Sequence, residues 1–129
     1  MRVLLITCLL SAVTSIQAAT LTSDTANKLM TKSGCMTCHS QDTTKIGPSY
    51  KDVAHRYNNL TPETLAYLKG EKSFDYLMKK VRTGTKIGVN KNWVKSKEGK
   101  TYGMMTPNPA SRISDADLKD LITYILSLK

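Results

Sequence analysis

The sequence lacks several features that would place it in common protein classes. It contains three cysteines in 129 residues, and one of these lies within the first ten. The other two, Cys35 and Cys38, are separated by only two residues, so a disulfide between them would close a very small ring and would not link distant parts of the chain. We find no internal repeat, no low-complexity segment and no alternating strand pattern. These absences exclude a disulfide scaffold and a repeat protein, and they argue against a β-sheet fold.

The first residues form a leader pattern. Met1 and Arg2 supply a positive start, residues 3–13 are almost wholly apolar, and small residues follow at 15–19. This order predicts a secretory signal peptide over 1–18, with cleavage near Ala18 or Ala19 and a mature domain over 19–129. The apolar run is too short to span a bilayer, so we expect export to the periplasm without stable membrane insertion. An uncleaved membrane anchor is the alternative.

The charge balance is strongly basic. The chain has 19 basic and 10 acidic residues, and loss of Arg2 with the leader leaves a mature net charge of +8. Such a balance favours encounter with an acidic partner surface. Nucleic acid is not expected, because the leader predicts export and no arginine-rich tract or binding motif is present. The alternative for single cations is an ordinary solvated face, which we expect for Lys51, Lys79, Lys80 and Arg82.

Helix signals recur along the chain and predict an all-α domain of about four to five helices. Most of the predicted starts carry a polar capping residue or a proline, and glycines follow several of the apolar-periodic stretches. In the last predicted helix, Leu118, Leu121, Ile122 and Ile125 have the spacing of one buried face. The predicted starts are Ser23, Pro48, Thr61-Pro62, Ser73 and Ser114, and the stops after the first, third and fourth helices are Gly34, Gly70 and Gly84.

The pattern breaks down between Thr85 and Arg112. Glycines and prolines punctuate this stretch, which also contains Trp93 and the pair Met104-Met105. A loop of this length is uncommon in a small domain unless it has a function. Wrapping one side of a cofactor would be such a function.

The motif that carries chemistry is Cys35-x-x-Cys38-His39, the pattern of covalent haem c attachment. Two thiols at this spacing can each add to one vinyl group of a porphyrin, and the histidine that follows is placed to ligate the iron. A zinc site is the first alternative, but its fourth ligand could only be His55. A thioredoxin-like redox pair is the second, but it needs a βαβ pattern that the chain lacks.

The second axial position of the iron decides the chemistry of the site. A methionine opposite histidine closes the site and raises the potential, which suits electron transfer. Met104 and Met105 lie in the irregular stretch, next to a proline that stiffens the turn. The residues alone leave three alternatives: either methionine as ligand, both as hydrophobic contacts of haem, or His55 as a second histidine ligand. On the helical period, His55 is expected to be exposed.

Three segments resemble the small bacterial class I cytochromes c, and the likeness covers nearly all of the mature chain. They are Gly-Cys-Met-Thr-Cys-His at 34–39, Lys-Ile-Gly-Pro-Ser-Tyr-Lys-Asp-Val at 45–53 and Met-Thr-Pro-Asn at 105–108. The resemblance implies the class I cytochrome c fold wrapped around one haem. It also implies that the carbonyl of Pro48 accepts the Nδ1 proton of His39, and that Met105 is the distal ligand. Asn108 would donate to the sulfur of Met105, and Trp93 would reach a haem propionate.

The segments 58–72 and 85–103 are longer than in the shortest members of this family. Neither touches the ligand motifs, but the second contains Trp93. The predicted function is a soluble one-electron carrier, a monomer that meets an acidic redox partner such as a membrane cytochrome complex, oxidase or reductase of a respiratory chain. We expect no catalysis of its own. The alternatives are a haem c subunit of a larger oxidoreductase, or a haem enzyme or gas-binding protein whose sixth position opens.

Overall fold

The structure is a computed structural model, and it describes residues 20–85 and 102–129. The predicted signal peptide and Trp93 therefore lie outside the described residues. Within them, the chain forms five α-helices, a short 3-10 turn and no β-strand, as the sequence predicted. The helices are α1 (Ser23–Lys32), α2 (Tyr50–Asn58), α3 (Pro62–Leu68), α4 (Ser73–Thr83) and α5 (Asp115–Ser127), and the 3-10 turn covers Cys35–Thr37.

Side-chain caps begin four of the five helices. The hydroxyls of Thr22, Ser49, Thr61 and Ser114 each accept a hydrogen bond from a backbone N–H in the first turn that follows. Such a cap contributes about 1 kcal/mol because it satisfies a donor that the helix itself leaves free. The fourth helix differs, since its N-cap is Lys72, which makes no side-chain cap.

Three helix starts differ from those predicted from sequence. The cap of α1 is Thr22 and not Ser23, and Pro48 lies outside α2, whose cap is Ser49. Ser73 does not cap α4, because its hydroxyl donates instead to the carbonyl oxygen of Tyr57 at 2.7 Å. A polar side chain near a helix start can serve either a local or a distant acceptor, and only the packing of α2 beside α4 decides which.

The core forms where α5 packs against α1, α2 and α4. The predicted apolar face of α5 is buried, and Leu118 is only 1% exposed. Met30 of α1 is equally buried at 1%. This packing brings the first and last helices together and leaves the turn after α1 and the loop before α5 to build the site. The further core residues include Ala26, Tyr50, Val53, Ala54, Tyr57, Leu68, Leu77, Ile113, Leu121, Ile122, Tyr124 and Ile125.

No helix among the described residues is both long enough and apolar enough to cross a membrane.

Candidate haem-binding site

The attachment motif lies in the tight turn that follows α1. Gly34 ends the helix with a left-handed backbone (φ +74°), which glycine adopts without steric cost. The backbone N–H groups of Cys38 and His39 then both donate to the carbonyl of Cys35, at 3.2 and 3.0 Å. Both cysteines are free and half-buried. The turn therefore holds two thiols and an imidazole within five residues.

The imidazole of His39 is oriented by a carbonyl. Its Nδ1 lies 2.7 Å from the carbonyl oxygen of Pro48, the contact that the resemblance implied. Because a carbonyl can only accept, Nδ1 carries the proton, and Nε2 keeps its lone pair for a metal. Burial lowers the pKa of His39, and the hydrogen bond to Pro48 offsets part of this fall. The ring is thus kept in the neutral form that ligates iron.

Two neighbours pack on the ring of His39. The ring of Tyr50 stacks on it with 5.3 Å between centroids and an interplanar angle of 23°. Gly47 lies so close that a Cβ atom there would be 2.6 Å from Cε1 of His39, nearer than real carbon atoms approach. Burial raises the pKa of the Tyr50 phenol well above the usual range, and the nearby Cys35 adds to the rise. His39 therefore has little freedom to rotate.

A backbone hydrogen bond joins the loop that carries the two methionines to the segment that holds His39. The N–H of Gly103 donates to the carbonyl of Ile46 at 2.8 Å. Gly103 lies two residues before Met105, and Ile46 lies directly before Gly47. Met104 is 60% exposed, whereas the neighbouring Met105 is half-buried. The fold thus connects the His39 segment to the Met105 loop and turns Met104 towards solvent.

The end of α4 holds the Met105 loop from the other side. The N–H of Thr85 donates to the carbonyl of Met105 at 2.8 Å, and Gly84 approaches so closely that a Cβ atom there would lie 2.5 Å from the same oxygen. Gly84 also has φ +66°, a backbone that favours glycine. Asn108 is only 7% exposed, and its N–H donates to the carbonyl of Val81 at 2.9 Å. Its amide nitrogen lies 3.5 Å from the carbonyl of Thr106, so its donation to the sulfur of Met105 stays a prediction.

Sequence reasoning misplaced two cations and missed other residues of this arrangement. Arg82 was expected on a solvated face, but its side chain is only 22% exposed and its guanidinium donates to the carbonyl of Asn108. Thr85 and Tyr50 were not singled out for the site. The partner of Thr85 is Met105, which is distant in sequence. The stacking of Tyr50 on His39 depends on where α2 begins. Lys80 was also expected on a solvated face, but it is half-buried, and burial lowers its pKa. Lys51 and Lys79 are exposed as predicted, in ion pairs with Asp42 and Glu71.

His55 is exposed on α2, as the helical period predicted. No group of three or more His, Cys, Asp or Glu side chains in the described part of the chain is arranged to hold a metal ion. The Cys-Cys-His zinc alternative, which required His55, therefore gains no support from the fold.

The residues present fit haem c. Two free thiols in one turn suit the two vinyl groups of the porphyrin. The neutral imidazole of His39 keeps Nε2 for iron. Gly47 leaves room for this imidazole, which a side chain at position 47 would displace. This arrangement defines an all-α protein built to hold one covalently attached haem.

Comparisons with known proteins agree with this description of the fold and the site. A family model described as cytochrome c matches residues 23–129. The chain is 38% identical over 105 residues to cytochrome c2 of Rubrivivax gelatinosus, covering 79% of this chain and 95% of that protein. It is 36% identical over 101 residues to cytochrome c-551 of Allochromatium vinosum, covering 78% and 82%. The crystal structure of wild-type Nitrosomonas europaea cytochrome c552 superposes with a TM-score of 0.55 at 31% identity, covering 80% of this chain and 99% of that one.

The chain belongs to the cytochrome c family, as one of its small bacterial monohaem class I members, and it binds covalently attached haem c. The predictions of the family, the all-α fold and the cofactor are confirmed. The individual roles of the site residues stay predictions.

Proposed function

We propose that this chain is a one-electron carrier of the periplasm in which His39 and Met105 are the two axial ligands of the haem iron. The observation that supports this most is the connection between the two ligand segments. His39 is oriented by Pro48 with Nε2 left for metal, and Ile46, just before that turn, is hydrogen-bonded to Gly103 in the Met105 loop. Both proposed ligands therefore belong to one hydrogen-bonded unit.

When bound, haem c supplies an iron that accepts and releases a single electron. Cys35 and Cys38 would hold the haem through thioethers, and His39 and Met105 would fill both axial positions. The work of the chain is to keep these ligands in place in both oxidation states. The carbonyl of Pro48 and the stacked ring of Tyr50 restrain His39, so little rearrangement accompanies electron transfer. A site closed on both sides needs no acid–base group, and we expect no catalysis of its own.

Substitution of the two adjacent methionines tests the axial assignment. In the purified ferric holoprotein, Met105→Ala should abolish the weak red absorption band of methionine–iron ligation and lower the reduction potential. Met104→Ala is the matched control and should keep the band, because Met104 is 60% exposed. Retention of the band in Met105→Ala, or its loss in Met104→Ala, would refute the assignment.

Carbon monoxide separates this proposal from a gas-binding or enzymatic haem. A site closed by Met105 should bind carbon monoxide slowly in the ferrous form, because the methionine must leave first. Rapid binding, or peroxidase turnover by the native protein, would favour the open-site alternative. Native purification as a lone monomer would favour a free carrier over a subunit of a larger complex.

The basic charge supports an acidic partner at the edge where the haem is attached. Lys45 is exposed and its ammonium donates to the carbonyl of Met36 inside the attachment turn, at 2.9 Å. The adjacent Ile46 is 51% exposed and offers apolar contact at the same place. A positive charge here would attract an acidic surface and raise the association rate.

Small inorganic redox reagents test this without knowledge of the partner. Reduced protein should react with an anionic oxidant at a rate that falls as salt rises, and a cationic oxidant should show the opposite trend. Lys45→Gln should weaken the salt dependence more than Lys79→Gln, in which an exposed lysine paired with Glu71 is lost. Rates that do not respond to salt would contradict a basic docking surface around Lys45.

The leader pattern supports export, with residues 1–18 removed and 19–129 retained. The intact mass of holoprotein isolated from the periplasmic fraction tests this, since it should correspond to a chain starting at Ala19 with one haem added. A mass that includes Met1-Arg2, or recovery with the membrane, would contradict the cleavage.

A further inference from the structure

Arg82 joins three elements at the end of α4. Its Nη1 donates to the backbone carbonyl of Asn108 at 2.9 Å, and its Nη2 lies 2.5 Å from a carboxylate oxygen of Asp115. The side chain is 22% exposed. Arg82 therefore links the helix that precedes the irregular stretch to both the Met105 loop and the start of α5.

Asn108 is held at both of its backbone groups by the same turn of α4. Its N–H donates to the carbonyl of Val81, which the helix leaves without a partner near its C-terminus, and its carbonyl accepts from Arg82. Asn108 is 7% exposed, so neither group could turn to water without movement of the loop. The chain is thus pinned three residues after Met105, with Pro107 stiffening the segment between them.

We propose that Arg82 is a positioning residue for Met105, which sets how often the methionine leaves the iron. The proposal rests on the proposed function, because it takes Met105 as the distal ligand. A thioether is a weak ligand for iron, so its residence depends on how firmly the loop is held. Without Arg82 the buried carbonyl of Asn108 loses its donor in the closed loop but can reach water when the loop opens. Loss of the Arg82 side chain therefore favours the open form of the loop, in which Met105 has left the iron.

The two hydrogen bonds of Arg82, to Asn108 and to Asp115, contribute unequally to the stability of the closed loop. Asp115 is 81% exposed at its side chain, and ion pairs at such positions contribute little. The carbonyl of Asn108 is buried and receives a charged donor, which is the stronger kind of hydrogen bond. Asp115→Asn should therefore have a small effect, whereas loss of the guanidinium should have a large one.

Binding of imidazole to the ferric holoprotein measures opening of the loop, because imidazole takes the position that Met105 vacates. Arg82→Met keeps much of the aliphatic stem and removes the donors, and it should raise the imidazole association constant about tenfold, as expected for loss of a charged hydrogen bond that acts only in the closed form. Its reduction potential should also fall. Arg82→Lys can restore one donor and should give a rise of only about threefold.

Asn58→Ala is the matched control for a general loss of stability. The amide of Asn58 donates to the carbonyl of Leu126 at 2.8 Å, so this variant also removes a side-chain bond to a backbone carbonyl, but between α2 and the end of α5. Its imidazole affinity should stay within about twofold of wild type, as should that of Asp115→Asn.

Imidazole affinity in Arg82→Met equal to that of wild type, or equal to that of Asn58→Ala, would overturn the positioning role while Met105 remained the ligand. A wild-type ferric protein without the red methionine–iron band would overturn the proposed ligation, and the role of Arg82 with it. If Arg82→Met yields no holoprotein, Arg82→Gln takes its place, since a neutral amide cannot supply the charged donor and an imidazole affinity there equal to that of wild type contradicts the proposal.

Discussion

Thr85 and Met105 are joined by two hydrogen bonds in opposite directions. The N–H of Thr85 donates to the carbonyl of Met105 at 2.8 Å, and the N–H of Met105 donates to the hydroxyl of Thr85 at 3.2 Å. One residue thus satisfies the backbone of the proposed ligand on both sides. The end of α4 and the ligand loop stabilise each other, since each supplies partners that the other lacks.

Thr85→Val should loosen the Met105 loop without changing its shape. Valine has nearly the same volume as threonine but cannot accept the N–H of Met105, and an unpaired donor in a half-buried loop costs about 1 kcal/mol. Imidazole affinity of the ferric holoprotein should rise about fivefold. Thr83→Val is the control, because the exposed hydroxyl of Thr83 donates to Lys79 within α4. A rise of the same size in both variants would contradict a specific role for Thr85.

Gly47→Ala should disturb His39 directly. The new Cβ would meet Cε1 of His39 at 2.6 Å, and overpacking of this kind costs about 1–3 kcal/mol. The ring must shift, so we expect a changed reduction potential as well as a lower melting temperature. Gly70→Ala separates these effects, because Gly70 has positive φ, which strains any side chain, but has open space around it and no contact with His39. That variant should lose about 1 kcal/mol and keep the wild-type potential. An unchanged potential in Gly47→Ala would show that the ring is not confined as described.

Lys72→Asp should stabilise the protein. Lys72 is the N-cap of α4 and makes no side-chain cap, whereas aspartate can accept from the first turn and suits the positive end of the helix dipole. We expect the free energy of unfolding to rise by about 0.5–2 kcal/mol, measured by chemical denaturation. Lys72→Ala should have no such effect. Equal stability of the two variants would argue against a missing cap.

Leu118→Ala should be among the most destabilising single changes in the core. Leu118 is 1% exposed in α5, and truncation of a buried leucine leaves a cavity that costs about 2–5 kcal/mol. Leu60→Ala is the comparison, since Leu60 is 54% exposed and should change the free energy of unfolding by less than about 0.5 kcal/mol. Denaturation curves of the two holoproteins measure both values. A small loss in Leu118→Ala would show that α5 is not packed as described.

Much of this architecture could be read from local patterns. The four apolar residues of α5 recur at the helical period and are all buried, because one face of a helix must cover the core. The cap of α3 at Thr61 and the proline that follows it were likewise predicted from adjacent residues. Local patterns failed at Ser73, whose hydroxyl serves the distant carbonyl of Tyr57 in place of its own helix.

The site divides in the same way. The sequence by itself determined that a haem is attached, since Cys35, Cys38 and His39 lie within five residues and one turn of chain brings them together. It could not determine what holds the opposite loop, because the bond from Arg82 to Asn108 joins residues 26 positions apart, and the pair with Asp115 spans 33. Contacts across such distances depend on how α4 and α5 pack, and many sequences with these motifs could pack otherwise. Only the tertiary structure decided that a cation expected on the surface restrains the loop of the proposed iron ligand.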